Sequence, residues 1–345
     1  MAETLISPGV LARENDSSFV SEGPIRNTAA IVGPTVKGPV EIPTVVTSYS
    51  EYENIFGTTL TSGSLVYSYF TSITAFNYFS NGGETLLVSR VANTAANYTP
   101  ASSSADLFGS AALVAANGIT FNTKGDGVIY NSDSTLDAQG SLLDGTVDNL
   151  RWEVTNSDVN NGTFDLLVRR GDDNTDNKIV LEAWTGLSLD PLASNFVSKV
   201  IGDMYENYDS VNNQIDVLGN FKSNSRYLYV SSINPLFLTP NYFDNNGVAK
   251  TVFAPAIPVN ASGSFGAGEG DIIDGVNFYE TIADTNTQGL VAADYTDMIS
   301  LLANQDDYKF NTLATPGLFN SGATLATPIA NAINNTQGRG DSIYV

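Results

Sequence analysis

Residues 62–91, SGSLVYSYFTSITAFNYFSNGGETLLVSRV, decide how this chain folds. Leu65, Tyr69, Ile73 and Phe76 are spaced by four, four and three, which places them on one face of a helix. Ser64 stands where an N-cap belongs, and Asn81-Gly82-Gly83 supplies the stop. ETLLVSRV then reads as a strand buried on at least one face. Upstream, TAAIVGP (28–34) reads as a buried strand closed by Gly33-Pro34. GPVEIPTVVTS (38–48) reads as a second strand, with Pro39 and Pro43 placing it at a sheet edge. Between them and the long helix, SYSEYENIFG carries the capping-box pattern Ser50-x-x-Glu53, with Gly57 as its stop. Strand, helix, strand is the signature of an α/β layer. On this reading the aromatic stripe Tyr69, Phe70, Phe76 and Phe79 is a core face, and Trp184 is packing as well.

Downstream the texture changes. Residues 93–147 are rich in Ser, Asn, Gly and Ala and read as an exposed surface insertion. Residues 148–262 read as a β-rich domain: NLRWEVTNS, GTFDLLVRRG and NKIVLEAWTG are linked by Asn/Asp/Gly turns. Within it, Asp190-Pro191 opens an expected helix with Phe196, Val200 and Met204 on one face. GSFGAGEGDIIDG reads as a flexible glycine-dense loop. From there to residue 345, helix, strand, helix and strand form a second α/β segment, so the fold class is mixed α/β with an inserted antiparallel β-rich domain. The chain stops within its last strand, an unusual place for a natural terminus, since a parallel sheet needs both faces covered.

Composition narrows the function. The 345 residues hold 37 acidic against 15 basic side chains, a net charge of −22. Phosphate-backbone binding needs clustered Lys and Arg; here they are scattered, Arg169-Arg170 being the densest pair, so nucleic acid is not an expected partner. An acidic excess instead keeps copies mutually repelling at high local concentration. The absence of Cys and His removes disulfides, thiolate nucleophiles, Ser-His-Asp triads and the usual zinc sites. No run of about 18 apolar residues occurs, so no transmembrane helix or membrane insertion is expected.

The remaining motifs each have a bland reading. Asp172, Asn174 and Asp176 imitate an EF-hand loop, but Asn177 stands where Gly belongs and Ala183 where Glu belongs, so a solvated hairpin turn is preferred to a metal site. Glycines 263, 266, 268 and 270 lack the spacing and the Lys-Ser/Thr of a phosphate loop, and Glu269 and Asp271 would repel the ligand. Arg339-Gly340-Asp341 is the adhesion tripeptide, and three residues recur by chance. Asn161-Gly162-Thr163 is a glycosylation sequon only on a secretory route. No carboxylate pair is singled out for acid/base work, and no catalytic, cofactor or metal residue is assigned.

The N-terminal stretch LISPGVLAREND is too short and broken for a signal peptide. It is either a frayed tail or an arm that pairs outside its own domain. Three stretches together resemble contractile-tail sheath proteins of T-even-type myoviruses, particularly those infecting marine cyanobacteria. These are LISPGVLARE, AAIVGPTVKGPVEIPTVVTSYSEYENIFG with SYFTSITAFNYFSNGGETLLVSRV, and FDLLVRRGDDNTDNKIVLEAWTGLSLDPLASNFVSKVIGD. Residues 93–140 and 235–262 carry little of the likeness. The resemblance implies a virion structural protein, assembled in the host cytoplasm, that polymerises as six-fold rings around a tail-tube protein. Baseplate and tail-terminator proteins are further implied partners, and the assembly contracts to drive the tube through the host envelope. It assigns residues 1–24 as a subunit-linking arm, with Leu5, Ile6, Ser7, Pro8, Gly9, Val10 and Leu11 adding a strand to a neighbour. Gly23 and Pro24 form its hinge, an inference from composition. Residues 25–92 become the first core segment and 263–345 a second, truncated one; either the chain is a fragment or a partner supplies the remainder. A tail-surface adhesin or decoration protein using the Ser/Asn-rich stretch is the alternative.

Overall fold

In β1 (Thr28–Gly33), Ala30 and Val32 face one apolar cluster and Ala29 and Ile31 face another, with both sets buried. That two-sided burial marks the interior strand of a covered parallel sheet. The computed structural model describes residues 28–62, 65–93, 98–103, 118–133, 135–270, 282–320 and 322–345. After β1 come β2 (Thr44–Val46), α1 (Tyr49–Phe56), the small hairpin β3 (Leu60–Ser62) and β4 (Leu65–Tyr67), α2 (Phe70–Ser80) and β5 (Thr85–Arg90). β5 runs parallel to β1 from Thr28↔Thr85 to Gly33↔Arg90, and β2 runs antiparallel to β5.

Both helices start differently from the sequence expectation. α1 is capped two residues earlier than Ser50-x-x-Glu53. Ser48, still extended at the exit from β2, accepts the Glu51 N–H at 3.2 Å, and Glu51 Oε2 accepts the Thr47 N–H at 2.8 Å. Gly57 ends the helix as expected, at φ +69 with its N–H on Glu53 O. α2 begins only at Phe70, because Leu65–Tyr67 is already committed to β4; Ser64 lies outside the described residues. Only part of the expected stripe is in the core: Tyr69 is buried and Phe79 packs against the cluster beside α1. Thr71, Ser72 and Ala75 are buried, whereas Ile73 and Phe76 are 42% and 50% exposed. The helix lies so close to β1 that a Cβ on Gly33 would stand 2.3 Å from Thr71 Oγ1. Only small side chains fit that approach, and they displace the large ones outward.

The chain then builds β6 (Pro100–Ser103), β7 (Ile119–Asp126), β8 (Leu150–Asp158), β9 (Thr163–Arg170), β10 (Val180–Ser188), α3 (Val197–Val200), β11 (Tyr205–Asp209), β12 (Gln214–Leu218), β13 (Leu228–Ile233) and β14 (Ala261–Gly266). Seven of these form one antiparallel sheet in the order β10-β9-β8-β14-β6-β7-β13. Two expectations are corrected here. Residues 93–147, read as an exposed insertion, contribute β6 and β7 to the middle of this sheet, with Ala101, Ile119, Phe121 and Tyr130 in its core. The glycine-dense loop starts as strand β14, which joins β8 to β6, so a boundary at 262/263 would cut a strand. Gly263 is there because Trp152 lies over it: a Cβ would be 2.6 Å from the indole, whose Nε1–H donates to Ser264 O at 3.1 Å.

The helix expected after Asp190-Pro191 shrinks to one turn. Asp190 instead organises a turn, Oδ1 accepting the Leu192 N–H at 2.9 Å, and Gly202 at φ +104 stops α3. Met204 leads into the β11–β12 hairpin rather than continuing a helix. The short segment 195–202 has its own task. Asn195 O accepts the Ser188 N–H of β10, and Gly202 O accepts the Val230 N–H of β13, both at 2.9 Å. Glu182 of β10 also accepts the Ser225 hydroxyl and the Arg226 N–H. The seven-stranded sheet is therefore curled, with its first and last strands bridged.

The last part supplies α4 (Thr296–Leu301), β15 (Thr312–Ala314), α5 (Ala326–Arg339) and β16 (Ile343–Tyr344), in the helix-strand alternation read from the sequence. β15 runs parallel to β1, and β16 parallel to β15, giving the five-stranded order β16-β15-β1-β5-β2. α1 and α2 cover one face through Tyr52, Phe56 and Ala75; α4 and α5 cover the other through Met298, Ile299, Leu301 and Ala332. The fold is mixed α/β with an antiparallel β-rich sheet.

Candidate functional site

The carboxyl ends of β1 and β5 run into the end of β7, and residues 34–42 clasp the two sheets together. Arg90, 4% exposed at the end of β5, donates through Nη1 to Gly38 O and to Asp126 O. Asp126 Oδ2 accepts the Val40 N–H at 2.9 Å, and the Asp126 N–H donates to Gly38 O at 3.1 Å. Tyr130 Oη accepts the Gly38 N–H at 3.2 Å, and Lys37 pairs with Asp148 at 2.8 Å. Gly38 needs its φ of +104 and its bare Cα, since a Cβ would meet the Phe56 ring at 2.8 Å. Burial pushes the Asp126 carboxyl above its usual range, against the Val40 N–H and the Arg90 charge, which pull it down. Burial likewise raises the Tyr130 phenol.

Beside this clasp lies an open crevice of about 1200 Å³, bounded by residues 39–44, by Tyr98–Pro100 and by the β11–β12 hairpin. Tyr205, Tyr208, Tyr227 and Tyr229 face it, with Glu41, Asp126 and Asp297. Glu51, Glu206, Lys124, Lys222 and Arg226 also line it.

The residues singled out by motif are engaged in structure. The EF-hand imitation is the β9–β10 turn, and the residue between its imitated ligands, Asp173, is 2% exposed. Asp173 accepts from Arg151 Nη1 at 2.9 Å, from Arg169 Nε and Nη2 at 2.6 and 2.8 Å, and from the Ile179 N–H at 3.0 Å. Glu153 takes Arg169 and Lys178 at 2.9 and 2.7 Å. The turn is exposed at Asp172, Asp176 and Asn177, as expected, and beneath it Asp173 centres a buried ionic knot. Asp172 pairs with Arg170, and Asn174 Oδ1 caps the Asn177 N–H. In the tripeptide 339–341, the Arg339 side chain is 2% exposed. It donates to Leu302 O and Tyr308 O at 2.8 Å, pairs with Asp341 at 2.9 Å, and lies 4.1 Å from the Phe310 ring centre. Gly340, at φ +72, is the left-handed cap of α5. The tripeptide is a helix terminus folded inward. Asn161-Gly162-Thr163 is the β8–β9 turn, with the Tyr242 ring against Gly162.

In the seven-stranded sheet β10 and β13 are the outer strands, each bonded to residues 195–202 at one backbone position. In the five-stranded sheet β2 and β16 are the outer strands, and no further strand among the described residues pairs with either. Val45 on β2 is 54% exposed and Ile343 on β16 is 64% exposed. The proposed arm, Leu5, Ile6, Ser7, Pro8, Gly9, Val10 and Leu11, and its hinge, Gly23 and Pro24, lie outside the described residues. The clasp and the ionic knot were not found by sequence reasoning; the only signal was the presence of Arg90, Arg151 and Arg169 inside otherwise apolar strands.

No protein-family model and no curated protein matches the chain. Among solved structures it is similar to the sheath tail protein Lin1278 from Listeria innocua, at 11% identity and a TM-score of 0.45, over 92% of this chain and 46% of that one. It is also similar to the sheath tail protein DSY3957 from Desulfitobacterium hafniense, at 13% identity and a TM-score of 0.40, over 97% of this chain and 51% of that one. The chain thus spans about half the length of these structures.

Proposed function

We propose that the chain is a non-catalytic structural subunit of a contractile viral tail sheath, polymerising as six-fold rings around a tail tube and contracting to drive it through the host envelope. The observation that carries this reading is the pair of outer strands of the five-stranded sheet, β2 and β16, with which no further strand pairs among the described residues. An exposed strand edge invites pairing with another chain, and each main-chain hydrogen bond so formed contributes about 0.5–1.5 kcal/mol. The three sequence stretches that resemble sheath proteins support the same reading, and the first of them is a segment able to supply the strand. Twenty-four extended residues reach roughly 80 Å, far enough to leave one subunit and dock on the next. The adhesin alternative loses support, because the Ser/Asn-rich stretch it would use contributes β6 and β7 to the interior of a sheet.

The test is immunogold electron microscopy of virus-like particles from the source, with antibody raised against this chain. Gold along the whole tail, widening and shortening with it on contraction, is the expected result. Gold confined to the tail tip or capsid, or absent from particles, overturns the reading.

A further inference from the structure

A chain with a net charge of −22 repels a second copy of itself, and the repulsion is felt within about 8 Å at physiological salt. Long stretches of this chain are nevertheless free of net charge. No charged residue occurs between Glu53 and Glu84, and between Arg226 and Glu269 there are only Asp244 and Lys250, which cancel. The first stretch contains α2 on the five-stranded sheet; the second crosses the end of the seven-stranded sheet. Both put large apolar side chains in solvent. Residues 310–338 are as free of charge, but there α5 turns Asn334 and Gln337 outward with a single large apolar side chain, Ile333.

The first face is the outside of α2. Because its small residues pack towards Gly33, Ile73 and Phe76 stand outward with Asn77 and Ser80. Val66 of β4, just before the helix, is 65% exposed. The second face is assembled around the buried Tyr242. Its hydroxyl donates to Val159 O in the β8–β9 turn, its N–H donates to Asp190 Oδ2 at 3.3 Å, and its ring packs on Phe243 and Phe253. Phe237 and Ala256 are anchored in the core of the seven-stranded sheet. Close to them in the chain, Leu236 is 70% and Val252 74% exposed, and Val159, Leu192, Phe243 and Val248 are also in solvent. The charged groups on these segments are held locally. Asp158 accepts the N–H groups of Asn160 and Asn161, and Asp244 those of Asn246 and Val248. The Lys250 and Lys199 ammonium groups donate to Asn241 O and Pro191 O.

Single exposed apolar residues are ordinary, whereas joined sets of them mark contact sites. We propose that these faces are the two halves of one junction, the outer face of α2 on one copy seating against the Leu236–Val252 surface of the next. The occupant is a second copy because each half lets another strongly acidic chain approach without setting acid against acid. The halves lie on different sheets of the molecule, so the junction is head-to-tail and leaves one half free at each end, which propagates a row of copies. It rests on the polymerising subunit proposed above and adds to it a side-chain contact, separate from strand pairing at β2 and β16.

Photo-crosslinking of the full 345-residue chain tests this. Unlabelled copies carrying Val252→p-benzoylphenylalanine are mixed with heavy-isotope-labelled wild-type copies and irradiated. The expected product joins residue 252 to an α2 peptide of the labelled copy, in a yield that rises with salt as repulsion is screened. Phe76→Glu in the labelled copy buries a charge in the junction and is expected to lower that yield by about tenfold. Ile73→Asp is a second variant of the same kind; both positions are exposed in the single chain, and an unchanged melting temperature checks that each folds. Crosslinks between copies that fall only outside α2, no crosslink between copies, or a yield indifferent to both variants overturns the junction. Crosslinks outside α2 leave the polymerising subunit standing, whereas gold absent from the tail sinks that reading whatever the crosslinks show.

Discussion

Asp173 shows how much one side chain can carry. Arg151 and Arg169 are direct cross-strand partners on β8 and β9, an arrangement of like charges that destabilises a sheet unless something lies between them. Asp173 lies between them, buried, accepting from both. Replacing it with Ala leaves two buried guanidinium groups without their shared anion, and the expected loss is about 3–5 kcal/mol. A urea denaturation midpoint would read it directly. Arg339 is the second such residue. Its hydrogen bonds to Leu302 O and Tyr308 O tie α5 to the turn after α4. A Lys cannot reproduce that planar fork, so Arg339→Lys is expected to lose about 1.5–3 kcal/mol of stability. No loss of cell adhesion should accompany it, because the side chain is not available to a receptor.

At the scale of the element, α2 is the instructive case. Its apolar residues fall at helical spacing, and a core-facing Phe76 would cost about 3–5 kcal/mol on truncation to Ala. In the folded chain Phe76 is half exposed and makes an edge contact with Tyr49 at 5.1 Å. Phe76→Ala is therefore expected to cost under about 1.5 kcal/mol. Gly33→Ala, which periodicity would pass over, puts a methyl 2.3 Å from Thr71 Oγ1 and is expected to cost about 1–3 kcal/mol. Comparing the two variants by thermal melting ranks the face that packs. A larger loss for Phe76→Ala than for Gly33→Ala would mean that α2 is rotated from this description.

For the whole molecule, what matters is how two sheets with separate cores are held to one another. The clasp does this through backbone groups gathered on Arg90, Asp126 and Tyr130, and it includes a carboxylate that burial keeps above its ordinary range. The folded state thus binds the Asp126 proton more tightly than the unfolded chain. Its contribution grows as pH falls through the raised value towards about 4 and is lost as pH rises above it. Asp126→Asn can still accept the Val40 N–H through its amide oxygen. It is expected to match or exceed the wild type near neutral pH and to lose that advantage in acid, as measured by denaturation at several pH values. An Asn variant that is less stable at every pH would assign Asp126 a net attractive role with Arg90 instead.

Local signals in the sequence determined a good deal. Two-sided apolar runs such as TAAIVG and TLLVSR, the helix-strand alternation of the last fifty residues and the Asn/Asp/Gly turns of β8–β10 are properties of neighbouring residues, and they sufficed for the α/β class and the β-rich sheet. Gly57 stopping α1 was legible for the same reason. What the tertiary structure alone decided depends on register and approach distance. Ser-, Asn- and Gly-rich strands such as β6 and β14 look like loops until a partner strand satisfies their backbone. Hydrophobic spacing could not say which face of α2 packs, because the limit was set by how near the helix comes to Gly33. The clasp joins residues far apart in the chain, so no local pattern could specify it, and the ionic knot depends on the β8–β9 register that sets Arg151 opposite Arg169 beside Asp173.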